Sequence, residues 1–140
     1  MARIYREAPL NSVWEGTANM MCLDVRRAMI NDAHTIEALF DEVRLLGGQD
    51  ARYDAMLRYT KSLVHEGVKD EFLCRRMTEA IARLLQGAEL MRHSTQEVVD
   101  VFLGARCPRT SGKWGLHYGT LDSIIGYATA RSIVQRASID

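Results

Sequence analysis

Residues 70–92, DEFLCRRMTEAIARLLQGAELMR, place Leu73, Met77, Ala80, Ile81, Leu84, Leu85, Ala88 and Met91 at steps of mostly three and four. Such steps return to one side of an α-helix, so the run predicts one long amphipathic helix whose apolar stripe continues across Gly87. A stripe of that length must be covered, and the rest of the chain supplies matching faces. Thr17 to Ile30 presents Met21, Cys22, Val25, Ala28 and Met29, with Asn31 and Asp32 as its end. Thr35 to Leu46 presents Ile36, Leu39, Phe40 and Val43 before the Gly47-Gly48 stop. Asp50 to His65 presents Tyr53, Met56, Leu57, Thr60, Leu63 and Val64, ending at Gly67. Ser94-Thr95, with Glu97 in the following turn, predicts a cap for a helix to about Gly104 carrying Val98, Val101, Phe102 and Leu103. A last helix is expected from Leu121 to Ala137.

Strand alternation is absent, and the connections between these segments are short. The expected fold is therefore all-α, an up-and-down bundle of five to six helices in a single domain over residues 1–140, with residues 1–16 as loop and 17–140 as the bundle. Residues 1–13 are expected to be extended and loosely held. No internal repeat or low-complexity segment is visible.

Composition agrees with a globular helical chain: 47% hydrophobic, 26% charged and two prolines in 140 residues. A formal net charge of zero gives no electrostatic case for nucleic acid. No apolar run is long enough to span a membrane and no signal peptide opens the chain, so no membrane partner is expected and the cytoplasm is the expected location. Cys22, Cys74 and Cys107 are odd in number and lack a paired spacing; Cys22 and Cys74 read as small core hydrophobes. The four histidines, His34, His65, His93 and His117, have no metal-ligand spacing, and no metal is expected. Gly112-Lys113 is not a phosphate loop, because Cys107 stands where the first glycine is required and Trp114 follows the lysine. Trp114, Leu116 and Tyr118 read as aromatic and apolar pins for an irregular segment.

Chemistry concentrates in residues 5–27, YREAPLNSVWEGTANMMCLDVRR. Pro9, Asn11 and Ser12 disfavour regular structure, Gly16 permits a sharp turn, and Thr17 suits a helix N-cap. Glu15 then stands just outside a helix N-terminus. On residue type alone it is either a helix-terminus charge or a base held in a cleft, and Thr17 either a cap or a ligand contact.

Arg3-Ile4-Tyr5-Arg6-Glu7-Ala8-Pro9, Asn11-Ser12, Trp14-Glu15-Gly16 and Cys22-Leu23-Asp24-Val25 together resemble the C-terminal signature of the acyl-CoA dehydrogenase family, most closely its adaptive-response (AidB-like) branch. The likeness continues more weakly through Arg83 to His93, Trp114-Gly115 and Tyr118 to Leu121. The resemblance implies an oxidoreductase chemistry in which Glu15 removes the α-proton of an acyl-CoA while the β-hydrogen passes as hydride to FAD. Trp14 and Gly16 would border the substrate, and Thr17 and Asn19 would contact the flavin nucleotide. Trp14 replaces the tyrosine common in the wider family and would narrow the acyl pocket.

The family enzyme carries an N-terminal helical domain and a middle β-domain upstream of this signature. The chain lacks them and is expected to be a truncated piece or a shortened product, inactive alone and holding no FAD by itself. The AidB-like branch also implies a second function, double-stranded DNA binding, in which Arg27 matches a basic position aided by Arg75, Arg76, Arg106, Arg109 and Lys113. A bare oligomerisation or interaction module is the third. The family's assembly through helical bundles implies a homo-oligomer, a dimer or tetramer.

Overall fold

A computed structural model describes residues 2–12, 16–107 and 126–137. Among them the fold is all-α, as expected, with seven α-helices and no strand. Helix α1 spans Ala2–Glu7 and runs into a 3-10 helix over Ala8–Ser12. The stretch expected as extended loop is therefore helical. Arg3 and Glu7 close an ion pair one turn apart at 3.0 Å, and Pro9 falls in the first turn of the 3-10 segment, where its missing N–H costs nothing. The side chains of residues 3–11 are exposed, so local preference rather than packing makes this turn of structure.

Helix α2 covers Ala18–Asn31, α3 Ala33–Arg44, α4 Ala51–Gly67, α5 Cys74–His93, α6 Gln96–Arg106 and α7 Tyr127–Ala137. Asp32 alone separates α2 from α3. Its extended backbone ends one helix, and its carboxylate accepts from His34 N at 2.9 Å to begin the next. Of the Gly47-Gly48 pair, Gly48 carries the left-handed backbone, with φ 82°. The run expected as one helix from Asp70 is divided: Asp70 caps a 3-10 turn over Glu71–Leu73, and α5 proper starts at Cys74. The first five residues expected in the last helix, 121–125, lie outside the described residues, as do the predicted aromatic pins at 114–118.

Helices α4 and α5 form an antiparallel hairpin at the centre. Gly67 at the end of α4 lies against Met77 near the start of α5, so close that a Cβ there would sit 2.8 Å from the Met77 sulfur. Gly87, late in α5, lies against Met56 and Tyr53 from the start of α4. Glycine is used at both places for approach, not for backbone freedom. Helix α3 runs antiparallel to α4: its first residues, Ile36 and Phe40, face Val64 and Val68, while at its end Val43 O accepts from the Tyr53 hydroxyl at 3.0 Å. Tyr53 is fully buried, and burial pushes its hydroxyl up to about 12.

Two apolar clusters fill the bundle, one around Met56, Tyr53, Leu84 and Leu103, the other around Met29, Val64, Met77 and Ile81. Cys22 and Cys74 are buried free thiols, matching the reading of them as core hydrophobes, and Cys107 is buried too, its thiol pushed up to about 12 by desolvation. The stripe on α5 is nearly as expected, with Met77, Ala80, Ile81, Leu84 and Ala88 buried, but Leu85 stays 38% exposed. Helix α6 is rotated from the expected face. Val99 and Leu103, four residues apart, enter the core, and Val98, Val101 and Phe102 are half-buried. One residue is about 100° of helix rotation, so a broad apolar run leaves the buried line to be chosen by the neighbours.

Of the two polar groups inside the bundle among the described residues, Thr60 stood on the face expected of α4, and Arg83 was not foreseen. Arg83 is only 7% exposed and pairs with Glu79 at 2.5 Å, and burial lowers the pKa of its guanidinium. Thr60 is fully buried and its hydroxyl has no hydrogen-bond partner among the described residues. Thr60→Val keeps the shape and removes the stranded hydroxyl, so it is expected to raise stability by about 1 kcal/mol. Denaturant unfolding of the two proteins measures the difference; a loss of stability would show that the hydroxyl has a partner.

Asp50 is the N-cap of α4. Its carboxylate accepts from Arg52 N at 2.7 Å and from the Arg52 guanidinium at 2.6 Å, and Arg52 reaches on to Asp100 of α6 at 2.5 Å. The hydrogen bonds from the Arg52 side chain, more than any other cause, hold Asp50 below its ordinary value of 3.8. A depressed carboxylate stabilises the fold in full above that unfolded value of 3.8, and the contribution is lost as pH falls through the lowered folded value. Asp50→Ala is therefore expected to cost about 1–2 kcal/mol at neutral pH. The gap to the parent should shrink in acid, which unfolding curves at pH 7 and pH 3 would show.

Candidate functional site

The segment singled out in the sequence leads into α2. Gly16 has φ 111°, a conformation that side-chain-bearing residues rarely adopt, and its missing Cβ leaves room beside Met20. Thr17 follows in extended conformation at the N-cap position, and its carbonyl accepts the first helical bond, from Met21 N at 3.2 Å. The amides of Ala18, Asn19 and Met20 are thus left without partners within the helix. Thr17 was expected to cap them, but its side chain makes no cap hydrogen bond. The hydroxyl is left available for another acceptor.

Asn19 is tied down from a distance. Its side-chain oxygen accepts from Arg75 Nη1 at 2.7 Å, joining the start of α2 to the start of α5 across 56 residues of chain. The amide nitrogen of Asn19 is a remaining donor, and Arg75 brings positive charge to the same corner. Nearby, Arg26 Nε donates to Gly67 O at 3.1 Å and fastens α2 to the α4 end of the hairpin. The structure therefore gathers Gly16, Thr17 and Asn19 with Arg75 at one end of the bundle. All of their charged and polar tips point outward or toward each other, and none is deeply buried. Trp14 and Glu15 lie outside the described residues.

What these groups can do chemically is set by their type. Backbone amides at a helix start, a hydroxyl, a side-chain amide and a guanidinium are all donors, and together they suit an anionic oxygen such as a phosphate. Among the described residues no cluster of three or more His, Cys, Asp or Glu is placed to hold a metal ion.

The arginines expected to make a DNA face have separate local partners. Arg27 is paired with Asp24 at 2.8 Å, with both side chains well exposed. Arg75 is bound to Asn19, and Arg76 lies over the Tyr59 ring, 5.6 Å from its centroid. Arg106 lies close enough to depress the pKa of Arg83, while Arg109 and Lys113 lie outside the described residues. Sequence reasoning placed Arg75 with the DNA candidates and missed its link to Asn19. A contact spanning 56 positions leaves no periodic trace in a sequence.

An all-α bundle entered through a Gly-Thr turn agrees with the resemblance to acyl-CoA dehydrogenases, and comparison with known proteins bears that resemblance out. The chain is 32% identical over 102 residues, 73% of its length, to the protein of Escherichia coli (strain K12) named "Putative acyl-CoA dehydrogenase AidB". It is thus similar to part of an acyl-CoA dehydrogenase-like protein of the AidB kind. The matched stretch spans 18% of that protein. No family model and no solved structure matches the chain. No helix among the described residues is long and apolar enough to cross a membrane.

Proposed function

We propose that this chain is the C-terminal helical domain of an acyl-CoA dehydrogenase-like flavoprotein, and that it serves FAD-dependent α,β-dehydrogenation of an acyl-CoA together with the upstream domains of the family. The observation that carries the reading is the 32% identity over 102 residues with the AidB relative. It is supported by the turn at Gly16, which leads directly into the start of α2. Glu15 acts as the base: its carboxylate takes the α-proton of the thioester, and the electron pair of that C–H bond forms the new double bond as the β-hydrogen departs with its pair. FAD, when bound, accepts that hydride.

The donor set at the start of α2 fits such a group. Thr17 keeps a hydroxyl free of capping, the first amides of α2 are open, and Asn19 with Arg75 adds an amide donor and a positive charge toward the nucleotide's phosphates. Trp14 and Gly16 border the acyl chain. Desolvation between the domains raises the pKa of Glu15 toward that of a working base and keeps water from the carbanionic centre. This chain alone holds too little of that enclosure to retain FAD or turn over substrate, and it assembles as a dimer or tetramer in the cytoplasm.

The visible spectrum and intact mass of the purified chain test the division of labour. A colourless chain of the mass of its sequence that gains flavin bands only with the upstream domains is the expected result. Flavin bands in the chain alone would overturn the claim that upstream domains complete the site. Colourless protein in both preparations, with retention on double-stranded DNA that weakens steeply in salt, would transfer the function to the DNA-binding alternative and to Arg27. The exposed Arg27–Asp24 pair opposes that alternative only weakly, since such pairs contribute about 0–1 kcal/mol.

A further inference from the structure

The seam between α3 and α4 does not close. Between the two helices lies a half-open cleft of about 240 Å³, walled by Ile36 and Phe40 from α3, by Val64 from α4 and by Val68 just past its end. Lys61, His65 and Lys69 also line it. These three stand four residues apart in succession, so they rise along one side of α4 and its end, beside the apolar wall.

The charge there is not neutralised from within. Among the described residues no carboxylate forms an ion pair with Lys61, His65 or Lys69; the one polar link is between Lys69 Nζ and His65 Nε2, 2.9 Å apart. Glu66 accepts from Ser62 at 3.2 Å, Glu37 is paired with His34 at 3.2 Å, Asp70 caps the turn after it, and none of the three lines the cleft. Two lysines and no carboxylate line the cleft, although the chain as a whole has equal numbers of acidic and basic side chains. A local basic edge beside an apolar hollow is complementary to one kind of molecule, an aliphatic chain ending in an anion.

We propose that the α3–α4 cleft binds an amphiphilic anion, its head on the Lys61 and Lys69 ammonium groups and its aliphatic chain against Ile36, Phe40, Val64 and Val68. The site stands on different residues from Glu15, Thr17 and Asn19, and its fate does not depend on theirs. The head-to-tail arrangement requires both halves of the ligand. A short anion finds no apolar contact to hold it, and a neutral chain forms no ion pair with either ammonium group.

Octanoate, octyl phosphate, octanol and acetate titrated separately into the chain, followed by amide shifts in ¹H–¹⁵N spectra, test this. Octanoate is expected to move the resonances of 36–40 and 61–69, with acetate and octanol far weaker. Lys61→Gln with Lys69→Gln, both at exposed positions, is expected to weaken octanoate binding roughly tenfold. Arg131→Gln, an exposed charge change on α7, should leave it unchanged. Octyl phosphate binding more tightly than octanoate assigns the head as a phosphate, and the reverse assigns it as a carboxylate. Absence of shifts with both anions, octanol binding as well as octanoate, or equal affinity in the double variant would each overturn the proposal.

Discussion

Glu15→Gln, made in the protein that joins this chain to the family's upstream domains, is expected to slow reduction of the bound flavin by an acyl-CoA by roughly 10²–10⁴-fold. The amide keeps the size of the carboxylate and its place before the Gly16 turn, so binding and folding change little. It has no basic lone pair with which to take the α-proton. A loss of that size adds about 3–5 kcal/mol to the barrier, more than loss of a single exposed contact would explain. Stopped-flow bleaching of the flavin under anaerobic conditions reads the step directly, and titration of the same protein with substrate reads binding. A lower rate with unchanged binding is expected. Flavin reduction at the parent rate would remove Glu15 from the role of base.

Leu84→Ala is expected to lower the stability of the chain by about 3 kcal/mol, within the usual range for buried leucines. Leu84 is fully buried on α5, in the cluster that joins α5 to Tyr53 and Met56 of α4 and Leu103 of α6. Truncation removes contacts on several sides at once, and helices already joined by short loops relax little into the gap. The corresponding fall in melting temperature is roughly 10 °C for a chain of this size. Leu85→Ala provides the comparison. Leu85 is 38% exposed, so its truncation should cost less than about 1 kcal/mol. Equal losses at the two positions would mean that α5 is rotated from the face described.

That contrast also marks where pattern reading stops. Period alone put Leu84 and Leu85 in the same stripe, because adjacent residues differ by only about 100° around the helix and a broad apolar face admits both. The surrounding helices choose between them. The same choice was missed in part on α6, where Val99 joins the anticipated Leu103 in the core while Val98, Val101 and Phe102 are only half-buried. At the chain start, breaker residues argued for loop, yet a 3-10 helix accepts Pro9 in its first turn.

For the candidate site, Gly16 and Thr17 were legible because a turn and a helix start are local events, set by which backbone angles a few residues tolerate. The spare hydroxyl of Thr17 was not, since an uncapped N-cap has the same sequence as a capped one.

Helical class, the stops at Asp32 and Gly48, and the buried lines of α4 and most of α5 follow from the sequence, because propensity, capping and period act over one or two turns. Folding in three dimensions decided the rest. It tied Asn19 to Arg75, sank Arg83 beside the core with Glu79, and placed Lys61, His65 and Lys69 on the edge of an apolar cleft. Each of these depends on which helices become neighbours, and that is fixed by the best joint burial of several faces, a condition that no single segment contains.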